Sequence, residues 1–227
     1  MALFSKQLSE GEGIPIVFLH GVLGSHEDWI PICSELKLRS CIGVDLPGHG
    51  LSPFTEHFNE ELYSIAPRFH FVGYSMGGRL AMGFADRHPE KIASLTLLSA
   101  HFGLPVEQRA ARLKIDEEWV RLLSTLPIDE FLNRWYDQPL FKTLDRDRMR
   151  TMRQKQNPEA LAKTFLFYSL GRQPLYTPKA NLLVGEFDLK YRDLYRDFNP
   201  SIIPKAGHAI HLEQPKIVAH HIQRLPL

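Results

Sequence analysis

The sequence predicts an α/β fold, in which a mainly parallel sheet has helices on both faces and an inserted helical cap. Short β-branched or aromatic runs, typical of buried strands, alternate with amphipathic stretches typical of helices. Such alternation favours parallel strands joined by helices. Between about residues 105 and 170 the strand patterns stop, and helix-period segments follow one another. We expect this segment to form a cap over the strand ends.

Each element follows from its own run of residues. The predicted strands are apolar runs bounded by Gly, Pro or Asp, and they span residues 14–19, 41–44, 69–72, 92–98 and 181–184. The predicted helices outside the cap span residues 27–37, 59–66, 76–88, 190–197 and 214–223. Because the cap interrupts a single strand series, we expect residues 1–227 to form one domain.

Length, composition and charge exclude several classes of protein. The 227 residues suffice for one domain with a sizeable core and are too few for two full-sized ones. The net charge of +1 gives the whole chain no attraction for nucleic acid or an acidic membrane. With 44% hydrophobic residues the composition is that of a globular protein, which argues against disorder. No apolar run near the start approaches the roughly 20 residues that cross a bilayer.

The expected location is the cytoplasm. The first residues, 1–10, lack the apolar core and cleavage site of a secretory signal. Cys33 and Cys41 belong to no metal-ligand cluster and suggest reduced thiols. Phosphate-loop, metal and nucleic-acid motifs are absent from the sequence, so a small-molecule substrate is the expected partner. The sequence does not specify an oligomeric state and is compatible with a monomer.

The sharpest local signal is GYSMGGR at residues 73–79. An apolar strand runs into G-x-S-x-G and then into a helix, which is the context that gives this pattern meaning. Glycines two residues before and after Ser75 allow a sharp turn and a close approach of neighbouring elements. The pattern predicts that Ser75 is a nucleophile-type serine, although such glycines can also merely tighten a strand–helix turn.

A serine of this kind needs a base, and the base needs an acid that orients it. Asp188 follows a predicted strand, and His208 lies 20 residues later on a loop, after Gly207. The order Ser75, Asp188, His208 is that of an α/β-hydrolase triad. The alternatives to the favoured acid and base are Glu186, Asp193 and His211.

Two loops after predicted strands surround this serine. In HGVLG at residues 20–24, a turn can aim the Val22 N–H into the same space as the Met76 N–H, which gives two donors for an oxyanion. We expect His20 to make a structural hydrogen bond beneath the loop. The second loop, DLPGHG at residues 45–50, consists of turn formers and is expected to be a tight connection without chemistry.

Together these motifs resemble the α/β-hydrolase superfamily over essentially the whole chain. The resemblance is closest to the 2-succinyl-6-hydroxy-2,4-cyclohexadiene-1-carboxylate synthases of menaquinone biosynthesis. It is carried by GYSMGGR at 73–79, EQRAAR at 107–112, WYDQP at 135–139, SLGRQP at 169–174 and GEFDLKY at 185–191. The resemblance implies a lyase in which the serine, activated by histidine, removes a proton from a cyclohexene tricarboxylate, and pyruvate is eliminated. The triad needs no cofactor and no metal.

A substrate with several carboxylates calls for arginines, which bind carboxylates bidentately. Arg79 lies four residues after Ser75, one turn along the same helix face. The resemblance further implies that Arg112 and Arg153 bind carboxylates and that Tyr74 and Trp135 contact the substrate. Surface or core positions are the ordinary alternatives for these residues.

The sequence departs from the family pattern in two places. Only 22 residues, 51–72, separate DLPGHG from GYSMGGR, so the helix there is expected to be short. The cap is also short around residues 145–153, which leaves Arg148 and Arg150 as alternatives to Arg153.

Two other functions use the same scaffold. A carboxylesterase or thioesterase for a small acidic acyl group would use Ser75 as a covalent nucleophile. A non-catalytic ligand receptor is the second, since fold does not fix function.

Overall fold

The architecture is a seven-stranded sheet, seen in a computed structural model that describes residues 3–224. Residues 1–2 and 225–227, at the ends of the expected domain, lie outside the described residues. The strands are β1 (Ser5–Ser9), β2 (Glu12–Leu19), β3 (Arg39–Val44), β4 (Phe69–Tyr74), β5 (Ile92–Leu98), β6 (Asn181–Gly185) and β7 (Ser201–Ile203). Their order is β1-β3-β2-β4-β5-β6-β7, and only β1 pairs antiparallel. The predicted α/β fold with a mainly parallel sheet is confirmed.

The α-helices connect and cover these strands. They are α1 (Ile30–Cys33), α2 (Phe58–Tyr63), α3 (Met76–Arg87), α4 (Val106–Thr125), α5 (Ile128–Tyr136), α6 (Arg146–Arg153), α7 (Pro158–Phe167), α8 (Leu189–Tyr195), α9 (Ile210–Glu213) and α10 (Pro215–Gln223). Four of them, α4 to α7, follow one another between β5 and β6, and we call them the helical insertion. Within residues 3–224 no helix combines the length and apolarity needed to cross a membrane.

Three elements differ from the sequence prediction. Strand β1 is missed because its polar residues are largely exposed on an edge strand that pairs only with β3. Strand β7 has only three residues and follows Asn199, which adopts a left-handed conformation. The predicted helix 27–37 is wrong beyond residue 33, since a 3-10 turn over His26–Trp29 leads into the four-residue α1. The chain then has to turn through Leu38, at φ 63°, to enter β3.

The core lies on both faces of the sheet. Along β2, Ile16 and Phe18 join one apolar cluster, and Val17 and Leu19 join the other. Both clusters are buried, which is why this strand is a continuous apolar run rather than an alternating one. The helical insertion has a third cluster of its own, centred on residues such as Leu123, Phe131, Leu132, Tyr136 and Phe165.

The sheet topology determines where a site can form. The chain passes from β2 to β3 on one side and then to β4 on the other side of β2. In open parallel sheets, the crevice at such a reversal, outside the carboxyl ends of the strands, is where ligands bind. Strand β2 ends at Leu19 and β4 ends at Tyr74, so the HGVLG loop and Ser75 both begin at this crevice.

Candidate active site

Ser75 occupies a sharp turn between β4 and α3. Its backbone has φ 49° and ψ −110°, a conformation that is strained for a residue other than glycine. The turn is possible because its neighbours lack side chains. A Cβ on Gly77 would lie 2.4 Å from the carbonyl oxygens of Leu19 and His20, and one on Gly73 would lie 2.6 Å from the Cα of Gly78. The start of α3 therefore packs directly against the ends of β2 and β4.

The three predicted triad residues meet at this turn. His208 Nε2 lies 3.3 Å from Ser75 Oγ, and His208 Nδ1 lies 2.7 Å from Asp188 Oδ2. Asp188 and His208 are buried, whereas Ser75 is half-buried. An Nδ1–H that donates to Asp188 leaves the Nε2 lone pair free to accept the serine proton. Tyr191 and Tyr74 pack their rings 4.7 and 5.2 Å from the imidazole and fix its orientation.

The alternative acids and base have other partners or none. Glu186 accepts a hydrogen bond from the backbone N–H of Lys205 and so braces the loop that leads to His208. Asp193 pairs with Arg196 at the surface. His211 is fully buried, and its ring packs at a tilt against that of Tyr74, with 4.2 Å between the ring centroids. Of the three candidate acids, Asp188, Glu186 and Asp193, only Asp188 bonds to His208.

The loop after β2 is held from below by His20. The His20 Nδ1–H donates to the carbonyl of Gly21 at 2.7 Å, and Nε2 accepts from the Leu46 N–H at 2.9 Å. Burial lowers the pKa of His20 well below its usual value, which keeps the ring neutral, as this pair of bonds requires. Val22 on this loop and Met76 at the first position of α3 both line the same cavity as Ser75.

The DLPGHG loop is built around Asp45. One carboxylate oxygen accepts from the backbone N–H and the ring of His26, and the other accepts from the Leu51 N–H. Gly48 and Gly50 have φ of 73° and 55°. All these groups are engaged in holding the turn.

A cavity of about 280 Å³ opens above Ser75. Its walls come from the carboxyl ends of the strands and from the helical insertion. Every predicted site residue except Asp188, which lies behind His208, lines it: Val22, Tyr74, Ser75, Met76, Arg79, Arg112, Trp135, Arg153 and His208.

Arg79 projects from α3 into this cavity. Its guanidinium donates to Gln173 Oε1 at 3.1 Å and to the carbonyl of Tyr168 at 3.0 Å, both of which are neutral acceptors. Burial lowers the pKa of Arg79 to about 10, and the positive charge of Arg112 adds to this effect. Two arginines that repel each other across a cavity favour an anion between them.

Arg112 reaches the cavity from α4. Its Nε donates to Asp116 Oδ1 at 2.9 Å, and Ser169 donates to the other oxygen of the same carboxylate at 2.6 Å. Asp116 is buried, so it fixes the base of the arginine side chain. Asp116 contacts the Nε edge of the Arg112 guanidinium, where the side chain joins the group.

Arg153 is the buried member of the three arginines. Its Nη1 and Nη2 lie 2.7 Å from Oδ1 and Oδ2 of Asp28, which is also buried. Among the alternatives, Arg150 pairs with Asp147 and Arg148 is exposed on α6, and neither lines the cavity.

Aromatic rings form the remaining walls. Trp135 belongs to a cluster in the helical insertion, where its ring lies 4.9 Å from that of Trp119 and 5.4 Å from that of Phe165. Tyr74 covers His211, whose pKa burial lowers to about 3. Both aromatic side chains combine core packing with exposure to the cavity.

Several lining residues have no site role in the sequence prediction, although the motifs at 135–139 and 185–191 contain them. Lys190, Gln138 and Tyr191 all face the cavity. Lys190 lies two residues after Asp188, so its position next to the predicted acid is the signal that points to it. Asp28 has no such signal, because its partner Arg153 is 125 residues away in the chain.

The comparisons with known proteins agree with this geometry. Residues 16–221 match the model of the alpha/beta hydrolase family. A 2-succinyl-6-hydroxy-2,4-cyclohexadiene-1-carboxylate synthase from Enterobacter sp. is 32% identical, with 96% of this chain and 94% of the relative covered. A synthase of the same name from Escherichia coli is 35% identical, with 95% of each covered.

Solved structures show the same fold. MenH from S. aureus superposes with a TM-score of 0.87 at 25% identity, over 96% of each chain. A thermophilic esterase from Thermogutta terrifontis has a TM-score of 0.74 at 24% identity, over 97% of this chain and 91% of the esterase, and it shows the fold alone. The chain therefore belongs to the alpha/beta hydrolase family, within which the synthases named above are relatives over nearly its whole length.

Proposed function

We propose that this protein is a 2-succinyl-6-hydroxy-2,4-cyclohexadiene-1-carboxylate synthase, a carbon–oxygen lyase of menaquinone biosynthesis that eliminates pyruvate from a succinyl-cyclohexene tricarboxylate. The observation that carries the proposal is the combination of a Ser75–His208–Asp188 arrangement with three arginines in one cavity. An esterase for apolar acyl groups gains nothing from that many cations. The relatives of this name, at 32% and 35% identity, support the same activity.

The triad acts in this reaction as a base. His208 Nε2 takes the hydroxyl proton of Ser75, while the Ser75 oxygen takes a proton from a ring carbon of the substrate. A ring double bond forms, the carbon–oxygen bond to the three-carbon group breaks, and enolpyruvate leaves with the electron pair. This enolate takes up one proton and becomes pyruvate, and His208 gives up the one proton that it gained, so the triad returns to its starting state. No acyl-enzyme is required at any step.

Asp188 and the oxyanion donors stabilise the charges that this step creates. The carboxylate of Asp188 stabilises the imidazolium that forms on His208, from which it is 2.7 Å away. Proton removal gives the substrate enolate-like charge. The backbone N–H of Met76 would donate to that charge, since first-turn N–H groups of a helix have no partner within it. The backbone N–H of Val22, on the loop after β2, would be the second donor.

The arginines bind the substrate carboxylates. Arg79 and Arg112 present N–H groups from α3 and α4 to the same cavity, and Arg153 contributes from α6 while it is held by Asp28. Tyr74 and Trp135 pack against the ring. In this role the helical insertion is the cap of a single-domain enzyme, and it supplies Arg112, Trp135 and Arg153.

The test is the release of pyruvate from the cyclohexene precursor, generated in situ by the preceding synthase. Wild type, Ser75→Ala and Arg79→Met are compared, with Arg87→Met as the control because Arg87 is exposed on the same helix and does not line the cavity. We expect release by wild type and Arg87→Met and its loss in the other two. Cleavage of p-nitrophenyl acetate by Ser75 without pyruvate release would instead indicate an esterase.

A further inference from the structure

Four cations line the active-site cavity, and they differ in how their charge is balanced. The positive charge of Arg153 is matched by Asp28, and that of Arg112 by Asp116, at 2.7 and 2.9 Å. Arg79 has only neutral acceptors, Gln173 and the Tyr168 carbonyl. The fourth cation is Lys190, which lies at the first turn of α8 and is exposed.

Lys190 has no acidic partner among the described residues. Asp188, the nearest acid in sequence, is bonded to His208. The Lys190 ammonium lies 5.9 Å from the centroid of the Tyr191 ring, which supplies no countercharge. Arg79 and Lys190 are therefore the two cavity cations whose charge no carboxylate of residues 3–224 neutralises.

Lys190 points to the same region as Arg79 and Arg112. Burial lowers the pKa of His101, three residues after β5, to about 4, and the nearby charges of Lys190, Arg79 and Arg112 add to this effect. Tyr191, next to Lys190, is also close enough to Arg79 and Arg112 to interact with both charges. The three cations thus converge on one side of the cavity from α3, α4 and α8.

We propose that Lys190 is a substrate-binding residue that, with Arg79 and Arg112, forms a subsite for a carboxylate group of the polyanionic substrate. This inference rests on the proposed function for the identity of the substrate. Its chemical basis is general, because an uncompensated ammonium at the mouth of a cavity attracts and holds a carboxylate. A bound carboxylate would also link Arg112 of the helical insertion to Lys190 of α8.

Binding of simple carboxylates tests the inference without requiring turnover. The probe is tricarballylate, an acyclic tricarboxylate, titrated calorimetrically into wild type, Lys190→Met, Lys190→Arg and Lys114→Met. The last is the control, since Lys114 is exposed on α4 and does not line the cavity. We expect Lys190→Met to raise Kd by about fivefold, the size of a partly solvated charge contact. Lys190→Arg stays within about twofold of wild type and Lys114→Met is unchanged.

Salt dependence gives a second readout. Because exposed charges are screened over about 8 Å at physiological ionic strength, Kd for tricarballylate rises with salt in wild type and rises less steeply in Lys190→Met. A Kd in Lys190→Met equal to that of Lys114→Met would overturn the inference, as would a failure of wild type to bind tricarballylate. Lys190-dependent binding in a protein that releases no pyruvate would refute the proposed lyase activity and leave the subsite intact.

Discussion

Arg153 and Asp28 form a buried ion pair, in which the Nη1–Oδ1 and Nη2–Oδ2 distances are both 2.7 Å. Arg153 ends α6 in the helical insertion, whereas Asp28 lies in the turn after β2. The pair therefore ties the insertion to the sheet at the wall of the cavity. Such a pair stabilises little compared with apolar packing, but each partner depends on the other.

That dependence predicts that removing one partner destabilises the fold more than removing both. Asp28→Ala leaves a buried guanidinium without its counterion and is expected to lower the free energy of unfolding by about 3 kcal/mol. The double variant Asp28→Ala/Arg153→Met removes both charges and is expected to recover most of that loss. Urea denaturation of the three proteins measures the differences. Equal stability of wild type and Asp28→Ala would contradict the pairing.

Asp188→Asn tests the orientation of the catalytic base. The amide can no longer accept the Nδ1–H as a carboxylate does, so the imidazole loses both its tautomer and its countercharge. We expect the kcat of pyruvate release to fall about a thousandfold or more while the fold is retained. Asp193→Asn is the matched control, since its carboxylate pairs with Arg196 at the surface and does not touch His208. If Asp193→Asn lost as much activity as Asp188→Asn, the assignment of the acid would be wrong.

Two glycines of α3 are expected to respond oppositely to alanine. In Gly77→Ala the new methyl group meets backbone oxygens at 2.4 Å, so β2 and α3 must separate, and we expect a loss of about 2 kcal/mol in stability together with most of the activity. In Gly83→Ala the nearest atom is the Tyr176 hydroxyl oxygen at 3.1 Å, at the end of a side chain that can move. Helix propensity then favours alanine by up to about 1 kcal/mol. Thermal denaturation compares the two, and an unchanged Tm for Gly77→Ala would refute the close packing.

Because His49 and His211 are buried and neutral, we expect the stability of the fold to decrease as the pH falls below 6.5. Burial lowers the pKa of His49 to about 4 and that of His211 to about 3, from 6.5 in both cases. As the pH falls below 6.5 the unfolded chain binds protons that the folded chain does not, so stability is lost. Each histidine contributes up to about 1.4 kcal/mol per pH unit, down to its folded pKa.

The variant His211→Phe keeps the ring contacts with Trp29 and Tyr74 and removes one titrating group. Between pH 6.5 and 5, its free energy of unfolding is expected to depend less on pH than that of wild type. His57→Gln serves as control, because His57 is exposed. A slope in His211→Phe as steep as in the control would show that His211 does not titrate this way.

The sheet was predictable from the sequence where burial on both faces makes a strand a continuous apolar run. Phe69–Tyr74 and Ile92–Leu98 match their predictions to within two residues. Strand β1 has no such signal, since its polar SKQLS sequence is stabilised by pairing with β3. The short α2, six residues long, agrees with the compressed interval before Ser75.

Some features of the candidate site could be predicted from the sequence, and others could not. Ser75, Asp188 and His208 are brought together as expected, because each follows a strand at the same edge of the sheet. The contribution of Lys190 depends on which way the first turn of α8 faces, and residue spacing alone does not determine that. The pairing of Arg153 with Asp28 depends on how the helical insertion packs, which no local pattern encodes.

The central claim is that Ser75 and His208 remove a ring proton rather than attack an ester. Its most direct test is single-turnover pyruvate release from the cyclohexene substrate carrying hydrogen or deuterium at the carbon that loses the proton. We predict slower release from the deuterated substrate by wild type and no release by Ser75→Ala. Equal rates for the two isotopologues, together with undiminished release by Ser75→Ala, would contradict it.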